Sequence, residues 1–217
     1  MGERKNRNGW PRRDAIGTGK SPKPSARGKE PVPSRHLPGA SHRASLIFPT
    51  AWGWMGVAET AQGIARIVLP KASKTMAASE LRVKIRKPGK ATVSPRLRAA
   101  RNQLTEYLNG ARTSFTLPLD LSDGTAFQRR VWRALLAVSY GRLRSYQELA
   151  AHVGGKHYAR AVGNAVGANP LPIIIPCHRI VARDASLGGF SGGLPTKRKL
   201  LALEGSLSRL RRTGKDS

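Results

Sequence analysis

The chain has 217 residues, enough for one or two small domains, and 39% of them are hydrophobic, which supports a core over part of its length. Lys plus Arg outnumber Asp plus Glu by 39 to 12, a net charge of +27 that calls for a polyanionic partner, nucleic acid foremost. A single cysteine excludes an intramolecular disulfide and a paired-cysteine zinc site. No run approaches the roughly 18 apolar residues of a membrane span, so the expectation is a soluble, intracellular protein in a reducing compartment.

The first 44 residues hold eleven Lys/Arg against three Asp/Glu, a net of +8, which leaves 27 − 8 = +19 for the remainder. They are rich in Pro, Gly and Ser with Trp10 as their one aromatic, and read as a disordered basic arm, either an addition to DNA affinity or a dispensable tail. Because the charge persists beyond the arm, the folded part itself carries an electrostatic footprint for phosphates.

Order is expected from near Leu46. The apolar runs Trp52–Val57 and Ile64–Leu69, with Gln62-Gly63 just before the second, predict a β-hairpin. A basic loop is expected from Lys71 to Val93. Ser94 as N-cap and Pro95 at the first helical position open a helix whose stripe of Leu97, Leu104, Tyr107 and Leu108 stops at Gly110. A strand at Phe115–Leu117 completes a small α/β domain over residues 45–120, and Asp120–Gly124 is the expected boundary.

Residues 121–207 read as mostly helical, with a basic tail over 208–217. Phe127, Val131, Trp132, Leu135 and Leu136 recur at helical spacing, and Ser139-Tyr140-Gly141 ends that helix. Ser145 with Glu148 three residues on forms a capping box ahead of a helix over Tyr146–Val153. After the turn Gly154-Gly155-Lys156-His157, a second helix over Tyr158–Ala168 completes a helix-turn-helix pattern.

The chemistry lies in Asn169-Pro-Leu-Pro-Ile-Ile-Ile-Pro-Cys177-His178-Arg179-Ile-Val181. Prolines around three isoleucines predict an extended, rigid segment that presents Cys177 at a fixed place. A free thiol is mostly protonated at neutral pH, and His178 and Arg179 are partners that would raise its thiolate fraction. Adjacent strand residues point opposite ways, so His178 reaches the sulfur through a water or through a turn at Pro176. Glu204 is the candidate carboxylate to orient the imidazole.

Pro176-Cys177-His178-Arg179, with Arg160-Ala161-Val162-Gly163 and Asn169-Pro170 before it and Gly192-Gly193 and Leu201-Ala202-Leu203-Glu204-Gly205 after it, closely resembles the methylated-DNA–protein-cysteine methyltransferases. The resemblance runs from about Gly124 to Gly205. It implies a ribonuclease H-like α/β domain followed by a winged helix-turn-helix domain carrying the active-site cysteine. It implies that Cys177 accepts an alkyl group from O6-alkylguanine, or O4-methylthymine, irreversibly and once per molecule, activated through a water to His178 that Glu204 holds. Tyr146 would crowd the DNA backbone and bond guanine N3, and Arg160 would fill the gap left by the flipped base. Asn169 would support the thiol and Ser191 would contact the alkylated O6. Phe190 stands where the family has a tyrosine and keeps only ring packing, and Arg179 joins the substrate- and DNA-binding set.

No metal and no cofactor are implied, since the damaged base in double-stranded DNA is the donor. A monomer is expected, in the cytoplasm with the nucleoid or in the nucleus. The second motif helix, rich in Ala and Gly with only Arg160 and Asn164 polar and long enough to reach, suits close approach to a narrow groove better than reading of major-groove edges. That argues against a winged-helix regulator. Cys177 argues against a noncatalytic damage binder, and the lack of a dedicated oxyanion motif argues against a cysteine hydrolase.

Overall fold

Three strands, β1 (Ala44–Thr50), β2 (Gly53–Glu59) and β3 (Ile64–Lys71), form an antiparallel meander in a computed structural model that describes residues 44–82 and 93–210. The expected hairpin is β2–β3. Its loop is closed by the Thr60 amide donating to the Gly63 carbonyl at 2.9 Å, and a side chain at Gly63 would stand 2.5 Å from the Pro118 carbonyl oxygen. Alternation gives the sheet two apolar faces. Met55, Val57, Ile67 and Leu69 turn toward α2 (Pro95–Leu108), and Ala58 and Val68 turn toward α1 (Lys74–Leu81).

Two expectations are corrected here. Helix α1 occupies part of the expected loop over Lys71–Val93; it is capped by Ser73, whose side chain accepts from the Met76 amide, and it buries only Ala77, Ala78 and Leu81, too small a face to show as a stripe. No strand forms at Phe115–Leu117, because the Gln103 side chain takes the Thr116 amide at 2.9 Å and Pro118 follows; only Leu119 bridges to Ile64. The expected arm lies outside the described residues apart from Ala44, and so does the expected tail beyond Leu210.

The helical half follows its signals more closely. Thr125 and Gln128 close a capping box on α3 (Ala126–Leu136), and Ser145 and Glu148 close one on α4 (Tyr146–Val153). A short 3₁₀ turn over Lys156–Tyr158 leads into α5 (Ala159–Gly167). Trp132 on α3 donates its indole N–H to the Ala165 carbonyl at 2.8 Å, fixing the depth at which α5 lies. A two-residue parallel ladder joins β4 (Arg144–Ser145) to β5 (Ile180–Val181), and α6 (Leu194–Leu203) follows, ahead of a 3₁₀ turn over Leu207–Arg209. One buried cluster runs from Phe48 through Leu104, Trp132 and Ile175 to Leu200, so the sheet half and the helical half share a core. Among the described residues no helix is long and apolar enough to cross a membrane.

Candidate active site

Cys177 is presented by a series of tight turns rather than by the expected extended segment. Asn169 captures the Leu171 amide through its Oδ1 at 3.0 Å, and the Ile175 amide folds back to the Leu171 carbonyl at 2.8 Å. Ile173 is thereby forced to φ +77°, a left-handed conformation that a β-branched residue adopts only under constraint from its surroundings. Cys177–Arg179 then forms a 3₁₀ turn, the outcome that a bend at Pro176 allowed for.

Asn169 also donates from Nδ2 to the Ile175 carbonyl at 2.8 Å and to Cys177 Sγ at 3.1 Å. Burial pushes the thiol's pKa up, while the Asn169 donor and the Lys197 charge oppose it. A buried sulfur aimed at by an amide donor and a nearby cation is built to carry negative charge when its proton leaves.

Behind the thiol, His178 Nε2 lies 2.9 Å from Glu204 Oε1, and both side chains are fully buried. An ionised carboxylate can only accept, so Nε2 carries the proton of the neutral imidazole and Nδ1 is the basic nitrogen. Nδ1 is buried with no partner among the described residues. Burial lowers the His178 pKa and the Glu204 carboxylate raises it, with the net shift downward. For Glu204 burial alone would raise the pKa, but hydrogen bonds from His178 and Arg179 bring it down to about 2.

Arg179 does not face DNA, and this corrects its expected place in the binding set. Its Nε and Nη2 grip Glu204 at 2.8–3.0 Å, its Nη1 donates to the Val138 carbonyl, and it is buried. A buried guanidinium so engaged fixes the carboxylate and is turned inward, away from a surface where a phosphate would lie.

The short β4–β5 ladder sets Tyr146, the first residue of α4, beside the turn that follows Cys177. Its hydroxyl reaches the Gly189 carbonyl at 3.4 Å, and its pKa is raised by burial and by the Cys177 charge. Gly189-Phe190-Ser191 forms the opposite rim, with Ser191 exposed and Phe190 half-buried. A Cβ at Gly192 would stand 2.3 Å from Leu69 and 2.8 Å from Phe190, so β3 backs this rim directly. Lys197, absent from the sequence-based site, is fully buried and donates to the carbonyls of Ile180, Leu187 and Gly189. Burial lowers its pKa to about 8 against the raising effect of Cys177.

On α5, Val162, Ala165 and Val166 face the core, whereas Arg160, Asn164, Gly167 and Ala168 are exposed on the other side. A Cβ added at Gly163 or Gly167 meets nothing within 4 Å. The exposed face is therefore smooth except for Arg160 and Asn164.

Residues 126–206 match the family model described as the DNA-binding domain of 6-O-methylguanine DNA methyltransferase. The methylated-DNA–protein-cysteine methyltransferase of Mycolicibacterium paratuberculosis is 50% identical over 114 residues, which are 52% of this chain and 68% of that protein. The chain belongs to the methylated-DNA–protein-cysteine methyltransferase family.

A Haemophilus influenzae protein of the same name is 48% identical over 111 residues, 51% of this chain and 62% of that one, and the matched stretch spans between about half and two thirds of other curated family members. Among solved structures, a Mycobacterium tuberculosis family member crystallised with DNA superposes with a TM-score of 0.60 at 36% identity, covering 75% of this chain and 93% of that one. Within this family framework the structure gathers Cys177, His178, Glu204, Asn169 and Tyr146 around one centre, leaves Arg160 on the outer face of α5, and turns Arg179 inward. Lys197 was missed because a lysine at a helical position carries no sequence mark of burial, and Tyr107, legible as part of the apolar stripe of α2, carries no mark of where its hydroxyl ends.

Proposed function

We propose that this protein repairs alkylated DNA by irreversible transfer of the alkyl group from O6 of guanine to Cys177, one transfer per molecule. The observation that carries the reading is the buried Cys177 sulfur, 3.1 Å from the Asn169 amide, with the His178–Glu204 pair behind it. The thiol proton passes, through a water, to His178 Nδ1. The thiolate attacks the alkyl carbon in line, the S–C bond forms as the C–O6 bond breaks, and guanine leaves with a proton supplied at N3 by Tyr146. The thioether offers water no leaving group, so the protein is consumed.

Guanine O6 is stacked inside the duplex, so the base must leave the helix to meet the sulfur. The smooth outer face of α5 enters the minor groove, and Arg160 fills the space of the extruded base. Phe190 packs on the base without a hydroxyl contact, and Ser191 contacts O6. Residues 45–120 form a ribonuclease H-like α/β part and 121–207 a winged helix-turn-helix part, with the basic arm ahead of them adding nonspecific DNA affinity.

Intact-protein mass after incubation with a duplex containing one O6-methylguanine tests this. A gain of about 14 Da, saturating at one per molecule and absent in Cys177→Ser, is expected for methyl transfer to this sulfur. Selective binding of the lesion with no mass gain would instead identify a damage-recognition protein.

A further inference from the structure

Tyr107 lies on α2, in the half of the molecule that precedes every recognised motif, yet its hydroxyl ends inside the His178–Glu204 pair. It donates to Glu204 Oε1 at 2.5 Å and stands 3.3 Å from His178 Nε2, and the ring is fully buried between Phe115, with centroids 5.4 Å apart, and Tyr140, 6.0 Å apart. A phenylalanine would fill this space as well, so the hydroxyl serves something other than packing. Burial, followed by the Glu204 charge, drives its pKa strongly upward. It stays protonated, and its proton points at the carboxylate. That leaves its oxygen lone pair free to face the Nε2–H of His178.

We propose that Tyr107 is a positioning residue for alkyl transfer, its hydroxyl anchoring Glu204 and, through it, the imidazole that takes the thiol proton. This rests on the reading of Cys177 as alkyl acceptor. Arg179 and the Gly141 amide, which donates to Oε2 at 3.1 Å, hold Glu204 from the helical half. Arg179 also reaches Oε1, from Nη2 at 2.8 Å, and Tyr107 adds to that edge, the one that meets His178, a donor from the sheet half. As positive charge develops on the imidazole, a carboxylate fixed on both edges and a tyrosine oxygen at Nε2 are already in place, with no reorganisation to make. The sheet half thus supplies a polar member of the relay as well as a wall.

Single-turnover methyl transfer and lesion-duplex affinity, measured on the full chain for wild type, Tyr107→Phe, Glu204→Gln and the double variant, test it. Tyr107→Phe is expected to slow transfer about tenfold, the size of one hydrogen bond to a charged group, with affinity within about twofold of wild type. In the Glu204→Gln background it should cost clearly less, because the charged acceptor is gone and only a neutral amide oxygen remains for the hydroxyl. Should Glu204→Gln not fold, Glu204→Asp, which withdraws the carboxylate from the tyrosine and keeps its charge for Arg179, takes its place. Tyr140→Phe, which removes a neighbouring hydroxyl that donates only to the Leu203 carbonyl, should transfer at the wild-type rate. Tyr107→Phe at the wild-type rate, or a loss that multiplies in full with that of Glu204→Gln, overturns the proposal. Failure of wild type to transfer at all would overturn the underlying reading instead.

Discussion

Glu204 accepts hydrogen bonds from Tyr107, His178, Arg179 and the Gly141 amide; burial alone would raise its carboxyl pKa, but the bonds and charges of His178 and Arg179 bring it down to about 2 against an ordinary 4.5. A carboxylate depressed in the folded state adds stability above its unfolded pKa and loses it as pH falls through the folded one. Stability should therefore drop between pH 4.5 and 2 by about 3 kcal/mol on this residue's account. Urea unfolding across that range checks it; Glu204→Gln should flatten that portion of the curve, and an unchanged slope would show that the carboxylate is not held in this way. Asn169 was legible as a support of the thiol, but its direct bond to the sulfur was not. That bond exists only because Pro170–Pro176 folds back in turns, with Ile173 at positive φ, where proline content had suggested an extended run. Arg179 was misread for a similar reason. A basic residue beside a nucleophile looks the same in sequence whether it faces phosphate or a buried carboxylate.

At the scale of elements, α5 is set by what lies beneath it. Gly124 abuts the Trp132 ring, where an added Cβ would stand 2.3 Å from Cζ3, and Trp132 in turn holds the Ala165 carbonyl. Gly124→Ala should cost about 2 kcal/mol of stability by overpacking and weaken DNA binding by shifting α5. Gly163→Ala is expected to part the two effects: it gains roughly 0.5–1 kcal/mol of helix stability, yet weakens binding by thickening the face proposed for the minor groove. Thermal melts and duplex titrations of both variants check this, and a Gly163→Ala protein that binds as well as wild type would move the groove contact elsewhere. Helices with caps and stripes were readable: Ser94, Ser145 and Glu148 act as expected, and α2, α4 and α5 fall within a residue or two of their predicted spans. Helix α1 was not readable, because its buried face is two alanines and a leucine, and the strand at Phe115–Leu117 failed because a side chain on another helix claimed its backbone.

For the whole molecule, the net charge of +27 sets the terms of DNA binding. Affinity for undamaged duplex should fall roughly 100-fold between 50 and 200 mM salt, as about four neutralised phosphates would produce, while the transfer rate of the already bound complex changes little. Fluorescence anisotropy and single-turnover kinetics at the two salt concentrations separate these, and salt-insensitive binding would remove phosphate neutralisation as its basis. What the sequence by itself determined is what local chemistry can encode: the basic character, the hairpin, the capped helices, and the order of motifs around Cys177, whose residue types and spacing carry the family resemblance. The tertiary structure decided which polar groups meet. Tyr107 and Glu204 are 97 residues apart in the chain, one in the sheet half and one in the helical half. Such contacts depend on how the sheet half and the helical half close on one core, and no periodicity along the chain records that closure.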